Sequence, residues 1–232
     1  ITAAEGEPYG TIKGSDYVWT DGKKTVQDNG YLMVGDDPLA VLGNIQPDWN
    51  MGIGNRLSWK GISLYALIDM QQGGDIYSIN TKYGQATGVY AETAGNTPKG
   101  NPQRDPVDEG GGNIFDDAVF EDGTPNEVYV PAYRWGRSWY YNNSPTARWV
   151  MDASSVKLRE LSLSYSLPGS ILGDSFIRGV NIAVVGRNLW IISKKVDHFD
   201  PEVILTSGNR QGIEQGAYPT VKTIGVNLKL DF

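Results

Sequence analysis

From Trp49 to Met70 the chain alternates in a way that few folds accept. The odd positions run Trp49, Met51, Ile53, Asn55, Leu57, Trp59, against Asn50, Gly52, Gly54, Arg56, Ser58 and Lys60 on the even ones. After Lys60-Gly61 the apolar phase becomes Ile62, Leu64, Ala66, Ile68, Met70. Successive side chains of a strand point to opposite faces. A two-residue turn at Lys60-Gly61 sets Trp59 opposite Ile62, and both apolar rows then share one face. The length matters as much as the pattern. Trp49 and Trp59 lie about 33 Å apart along a strand, or roughly 25 Å when the strand tilts near 40°, which matches the lipid band between the aromatic girdles of a membrane barrel. A strand in a soluble domain needs only about half that length.

Further stretches repeat the pattern. At the C-terminus Ile224, Val226, Leu228, Leu230 and Phe232 alternate with Thr223, Gly225, Asn227, Lys229 and Asp231. A strand runs from Trp149 to Leu167, with Leu161, Leu163, Tyr165 and Leu167 opposed to Ser162, Ser164 and Ser166, while Val156 and Leu158 sit in the other phase. A bulge near Arg159–Glu160 reconciles the two phases, as does a strand top that has left the membrane. Pro168-Gly169 ends that strand, a turn follows through Asp174, and Val180, Ile182 and Val184 mark the return. Five long strands result, with both short connections on the side of the C-terminus and the longer ones on the other. Membrane barrels have this asymmetry of short turns and long outer loops, and they start at about eight strands. An open edge in lipid leaves unpaired N–H and C=O groups. The expectation is therefore an incomplete wall that pairs with strands outside this chain.

Between the strands, residues 1–47 are turn-rich and read as a surface loop, with a small hairpin around Asp21-Gly22. Residues 73–147 read as a long outer loop in which Asp75–Gln85 holds a short helix. Composition narrows the chemistry. A net charge of −7 disfavours nucleic acid, and no cysteine is present to form a disulfide or thiolate site. His198 is the one histidine, so any Ser–His chemistry would hang on that residue, and a His-rich zinc site is not available. No apolar run approaches the ~20 residues of a membrane-spanning helix.

Several segments, in one order, resemble the SusC/RagA-like TonB-dependent transporters of Bacteroidota outer membranes. They are Gly43-Asn44-Ile45-Gln46-Pro47-Asp48-Trp49, Trp59-Lys60-Gly61-Ile62-Ser63-Leu64, and Asp152-Ala153-Ser154-Ser155-Val156-Lys157-Leu158-Arg159-Glu160-Leu161 with its continuation to Pro168. Val185-Gly186-Arg187-Asn188-Leu189-Trp190, Asp200-Pro201-Glu202, Gly216-Ala217-Tyr218-Pro219-Thr220 and Val226-Asn227-Leu228-Lys229-Leu230-Asp231-Phe232 follow. The resemblance implies an all-β chain, the C-terminal part of a large antiparallel transmembrane β-barrel of about 22 strands with long extracellular loops. Within it, residues 1–47 are an extracellular loop, 48–72 a hairpin, 73–147 a long extracellular loop and 148–232 the last three strands. It also implies TonB-dependent import of oligosaccharides or peptides across the outer membrane. The implied partners are a SusD-like surface lipoprotein, TonB through a region outside this chain, the plug and remaining strands of the same transporter, and outer-membrane lipid. No cofactor or enzymatic role is implied. Members often carry an acidic, calcium-like loop before the Gly-Asn segment. Here Gly30 to Gly43 keeps only Asp36 and Asp37, too few carboxylates for a hard cation's six to eight oxygens.

Candidate ligand contacts are Trp135, Trp139, Tyr140 and Tyr141, whose flat rings suit sugars or peptide side chains, with Arg134 and Arg137 for carboxylates. The same rings also serve loop packing, the membrane surface or a lid protein. Ile224, Val226, Leu228, Leu230 and Phe232 are expected to close the barrel. Asp197, His198, Asp200 and Glu202 read as the polar tip of a loop, and Asp116, Asp117, Glu121 and Asp122 as a solvated acidic loop. The rival readings are a soluble carbohydrate-binding β-sandwich, a passive outer-membrane pore, and an outer-membrane hydrolase whose catalytic set this chain lacks.

Overall fold

The computed structural model describes residues 1–3, 5–132, 144–173, 175–203 and 210–232. They form two compact units. One comprises Ile1–Gln46, Asp75–Met151 and Ile204–Ala217, the other Pro47–Gly74, Asp152–Val203 and Tyr218–Phe232.

The second unit is a five-stranded antiparallel sheet. Its strands are β1 (Pro47–Trp59), β2 (Ile62–Gly73), β3 (Ser155–Ser166), β4 (Gly179–Lys194) and β5 (Thr223–Asp231), in the spatial order β5-β4-β3-β2-β1. At the β1–β2 turn, Lys60 (φ 45°) and Gly61 (φ 84°) are both left-handed, as a tight hairpin with native strand twist requires. Trp59 therefore faces Ile62. Register then carries the apolar pattern across the sheet in rows. One row reads Trp59, Ile62, Tyr165, Ile182, Leu228, and the next Leu57, Leu64, Leu163, Val184, Val226. Directly opposed residues of neighbouring strands share a face, so each row is one continuous apolar band. These side chains are exposed; Trp59 keeps 70 % and Val226 74 % of its surface free. Exposed apolar area of that extent calls for a partner or for lipid.

The opposite face is polar. Ser58 and Ser63 share a 2.7 Å hydrogen bond, Asn181 donates to Ser166 at 2.8 Å, and the Arg56 guanidinium lies 5.1 Å over the Tyr65 ring. Along β3 the apolar phase changes at Arg159. Leu158 pairs with Ile68 and Glu160 with Leu67, which leaves Arg159 as an extra residue against β2. On the other side Asn188 and Leu189 together oppose Arg159, and Asn188 takes φ 51°, a conformation asparagine tolerates better than most residues. The bulge thus keeps Leu158 and Leu161 on one face. Of the two explanations open from the sequence, the bulge is present. The sheet does not close on itself; β1 and β5 are its two edges.

The first unit holds shorter pieces. Thr11–Gly14 pairs with Ala40–Asn44, and Lys23–Thr25 lies between Trp19–Thr20 and Ala118–Val119. Asp21 and Gly22, both at positive φ, make the expected hairpin turn. The first 46 residues are more than surface loop, however. Val26 and Leu32 join Phe115, Ala118 and Val130 in a buried cluster flanked by Tyr17, Tyr31 and Phe120. Burial there pushes the Tyr17 hydroxyl up to about 12. A helix, α1 (Ile79–Thr87), is capped by Ser78, whose side chain accepts from the Thr81 N–H, and ends on left-handed Gly88. Arg104 donates to Gly88 O at 2.7 Å and to Thr93 O at 2.8 Å, which secures that end.

Two glycines of the Gly-Asn and Gly-Gly segments have steric reasons. A Cβ on Gly43 lands 2.3 Å from the Asp75 carboxylate, which accepts the neighbouring Asn44 N–H at 2.9 Å. Likewise Gly73 (φ 72°) leaves the space that the Asp48 carboxylate fills. Gly43→Ala is expected to destabilise the chain by about 1–3 kcal/mol through this overlap. Gly225, with nothing within 4 Å of its Cβ position, should accept alanine at little cost. Thermal unfolding of the two variants against the parent checks the contrast; equal losses would refute the steric account.

Candidate functional site

Charged side chains inside a membrane-type strand need partners, because an unpaired buried charge is expensive. β3 carries three: Glu160 pairs with Arg187 at 3.2 Å, and the structure supplies partners for the two cations on the polar face. Lys157, with 5 % of its side chain exposed, pairs with Asp200, itself 3 % exposed, and with Glu202 at 2.8 Å. Arg159 spans Asp69 of β2 at 2.5 Å and Glu202, and donates to the Asn188 side-chain oxygen at 3.1 Å. Thr220 donates its hydroxyl to Asp200, and the Glu202 backbone N–H donates to the same carboxylate at 3.0 Å. Lys194 holds the approach to this turn by donating to Asp197 O at 2.7 Å and Phe199 O at 3.0 Å. The cluster therefore ties β2, β3, β4, the 195–203 segment and the chain entering β5.

This corrects one expectation. Asp200 is buried rather than at the polar tip of a loop, and Glu202, though exposed, turns its carboxylate with it onto two strand cations. Sequence reasoning passed over Lys157, Arg159, Asp69, Asn188 and Thr220 as a group, although all but Asp69 lie within the quoted segments. The available signal was two cations, Lys157 and Arg159, within a strand of serines and aliphatics.

The cluster's chemistry is structural. Burial opposes ionisation of Asp200, but the hydrogen bonds from Lys157, Thr220 and the Glu202 N–H outweigh it and hold its carboxyl below the usual range. Burial likewise opposes ionisation of Glu202, and Arg159 with Lys157 overcomes it.

The remaining candidates fall as follows. Arg134, Trp135, Arg137, Trp139, Tyr140 and Tyr141 lie outside the described residues. Ile224, Val226, Leu228, Leu230 and Phe232 share the apolar face of β5 and its end, the Phe232 ring stacked on Phe176 at 5.8 Å. Asp116, Asp117, Glu121 and Asp122 are exposed, with Asp117 paired to Lys24 at 3.0 Å. Among the described residues, no three histidines or carboxylates are grouped to hold a metal ion.

A long-stranded antiparallel sheet with one apolar face, one polar face and two open edges resembles a segment of a β-barrel wall. No family model matches the chain. It is 28 % identical over 210 residues to TonB-dependent receptor P3 of Formosa agariphila, a match covering 88 % of this chain and 18 % of that protein. TonB-dependent receptor P26 of the same organism is 26 % identical over 221 residues, covering 91 % of this chain and 20 % of the relative. The chain thus spans about a fifth of the length of the curated relatives it matches. Among solved structures, the RagAB peptide transporter superposes with a TM-score of 0.58 at 20 % identity, over 96 % of this chain and 23 % of that one. The RagAB peptide importer in the 'closed-closed' state gives 0.58 at 22 %, with the same coverage. At these identities the solved structures speak to the fold alone. Sequence relatives and fold together bear out the resemblance to SusC/RagA-like TonB-dependent transporters.

Two outcomes test the cluster. Carboxyls held low in the fold contribute stability above their unfolded values and lose it as pH falls through the folded ones. The 195–203 segment should therefore stay protected from hydrogen exchange at neutral pH and open in acid, below about pH 4. Protection, corrected for the intrinsic pH dependence of amide exchange, that is unchanged across the acid range would count against this. Lys157→Met strands a buried carboxylate and should cost about 3–5 kcal/mol in thermal unfolding, with most of it recovered in Lys157→Met/Asp200→Leu.

Proposed function

We propose that the chain is the C-terminal wall of the barrel of a TonB-dependent outer-membrane importer, working in a SusCD-like complex that takes up oligosaccharides or peptides. The observation that carries this reading is the sheet itself. Two of its apolar rows run unbroken across five strands and its other face is polar, as lipid outside and an aqueous lumen inside demand. The open edges of β1 and β5 support the reading too, since in lipid their unpaired backbone groups must find further strands. The names of the relatives, TonB-dependent receptors, favour energised import over a passive pore and over catalysis.

In this reading the strand ends next to Gly73, Ser155, Lys194 and Thr223 face outward from the cell, and the 1–47 and 73–147 stretches belong to extracellular loops. A SusD-like lipoprotein is the partner at that mouth, and TonB acts through a part of the protein outside this chain. Trp135, Trp139, Tyr140, Tyr141, Arg134 and Arg137 are then the residues to probe for contact with cargo or lid. The soluble-sandwich alternative leaves the exposed apolar rows without a purpose.

Membrane extraction tests the reading first: the protein should leave the outer membrane only with detergent, and release by salt or alkali alone would end the barrel interpretation. Face assignment gives a finer test. Val184→Arg, in the middle of an apolar row, should lower barrel stability in lipid by about 2–4 kcal/mol, whereas Ala183→Arg on the polar face should cost far less. Cells carrying the whole transporter should take up oligosaccharide or peptide in a TonB-dependent manner, and uptake that persists without TonB would point to a passive pore.

A further inference from the structure

We infer that the Asp200-Pro201-Glu202 turn is the register lock of the last strand: anchored on β3 through Lys157 and Arg159, it grips Thr220 and so sets which residues of β5 pair with β4. The inference rests on reading the sheet as a barrel wall.

The need for a lock follows from the pattern of β5. Ile224, Val226, Leu228 and Leu230 repeat every second residue, opposite Gly186, Val184, Ile182 and Val180. A slip by one residue turns the apolar set to the wrong face and is excluded. A slip by two is different. In one direction it sets Ile224, Val226 and Leu228 against Val184, Ile182 and Val180, and in the other Leu228 and Leu230 against Val184 and Ile182, so most apolar pairs are kept, while the polar face exchanges Gly225, Asn227 and Lys229. The alternation that makes β5 a membrane strand therefore leaves its register nearly degenerate. Turn geometry does not resolve this either. β1 and β2 are fixed by a two-residue turn, but β4 and β5 are joined through residues 195–222.

Contacts beyond the ladder make the choice. At one end Asp200 is held by Lys157 and by the Glu202 N–H, and receives the Thr220 hydroxyl. The next residue is held as well: the Asn188 side chain, fixed by Arg159 in the β4 bulge, donates to Val221 O at 3.4 Å. At the other end the Arg178 N–H donates to Asp231 O at 2.6 Å and Phe176 stacks on Phe232, the rings 8° from parallel. A two-residue slip moves the strand about 7 Å, well beyond hydrogen-bond reach, and breaks both grips at once. The charged turn is the stronger pin, because its anchor is a buried ion pair on a different strand.

The chain has no cysteine, so engineered pairs report the register directly. Ala183 faces Asn227 in the structure. Directly paired strand positions lie within disulfide reach, whereas positions two residues along lie about 7–8 Å away and do not bridge readily. In the full-length protein in membranes, Ala183→Cys with Asn227→Cys should cross-link on mild oxidation, while Ala183→Cys with Gly225→Cys or with Lys229→Cys should not. Adding Thr220→Val, Asn188→Gly and Phe176→Ala, which remove the side-chain grips at both ends and leave the Lys157–Asp200 pair in place, should cut the native cross-link several-fold and bring up a slipped one. Thr220→Val alone should show the same change to a smaller extent, and it serves if the combined variant fails to assemble. Cross-linking in the native register alone, in variant protein that still needs detergent for extraction, overturns the lock and leaves the barrel reading intact. Variant and parent that both leave the membrane without detergent overturn the barrel reading instead.

Discussion

One extra residue, Arg159, lets a single strand satisfy two incompatible demands. Below it, β3 presents Leu161, Leu163 and Tyr165 to the apolar face; above it, Val156 and Leu158 must reach the same face from the opposite phase. The bulge absorbs the difference and turns the guanidinium toward Asp69 and Glu202. Bulges of this kind re-aim a side chain while leaving the flanking ladder intact. Were β3 regular, either the upper aliphatics or the lower ones would face the polar side, and the rows across the sheet would break at mid-height. The inward fold of Asp200-Pro201-Glu202 follows from the same residue, since a cation aimed at the polar face needs an anion there.

Buried ion pairs seldom add net stability, because desolvation consumes much of the attraction. Their stronger use is to discriminate between arrangements of similar energy. That use suits a sheet whose apolar face repeats similar aliphatics from row to row and therefore discriminates weakly between rows. Apolar-face residues say which way a strand is turned, while in the inferred lock Lys157, Asp200 and Thr220 say how far along it sits.

Much of the sheet was legible in the sequence for a simple physical reason: period-two alternation is local, and the Lys60-Gly61 turn converts it into pairing without long-range information. Even the bulge near Arg159 could be anticipated, because a phase change has few remedies. The charged cluster was not legible, although most of its members lay in plain sight. Asp200 and Glu202 follow a polar stretch next to the one histidine, and such a stretch reads as solvated unless the cations waiting on β3 are placed in space beside it. The buried role of Val26 and Leu32 was missed for a related reason. Turn residues dominate the first 46 positions, and two isolated aliphatics reveal a core only once Phe115 and Val130, far along the chain, are brought to them.

The glycines at 43 and 73 carry a different lesson. Each is the imprint of a carboxylate, Asp75 in one case and Asp48 in the other, seated where a methyl group would otherwise be. Neither glycine is there for suppleness alone, and neither aspartate is there for charge alone. Each pair is a single interlocking shape shared by two distant positions, so a larger residue at Gly43 becomes admissible only with a smaller one at Asp75, while the left-handed backbone at Gly73 asks for glycine in any case. Anyone redesigning this region should treat the two letters as one.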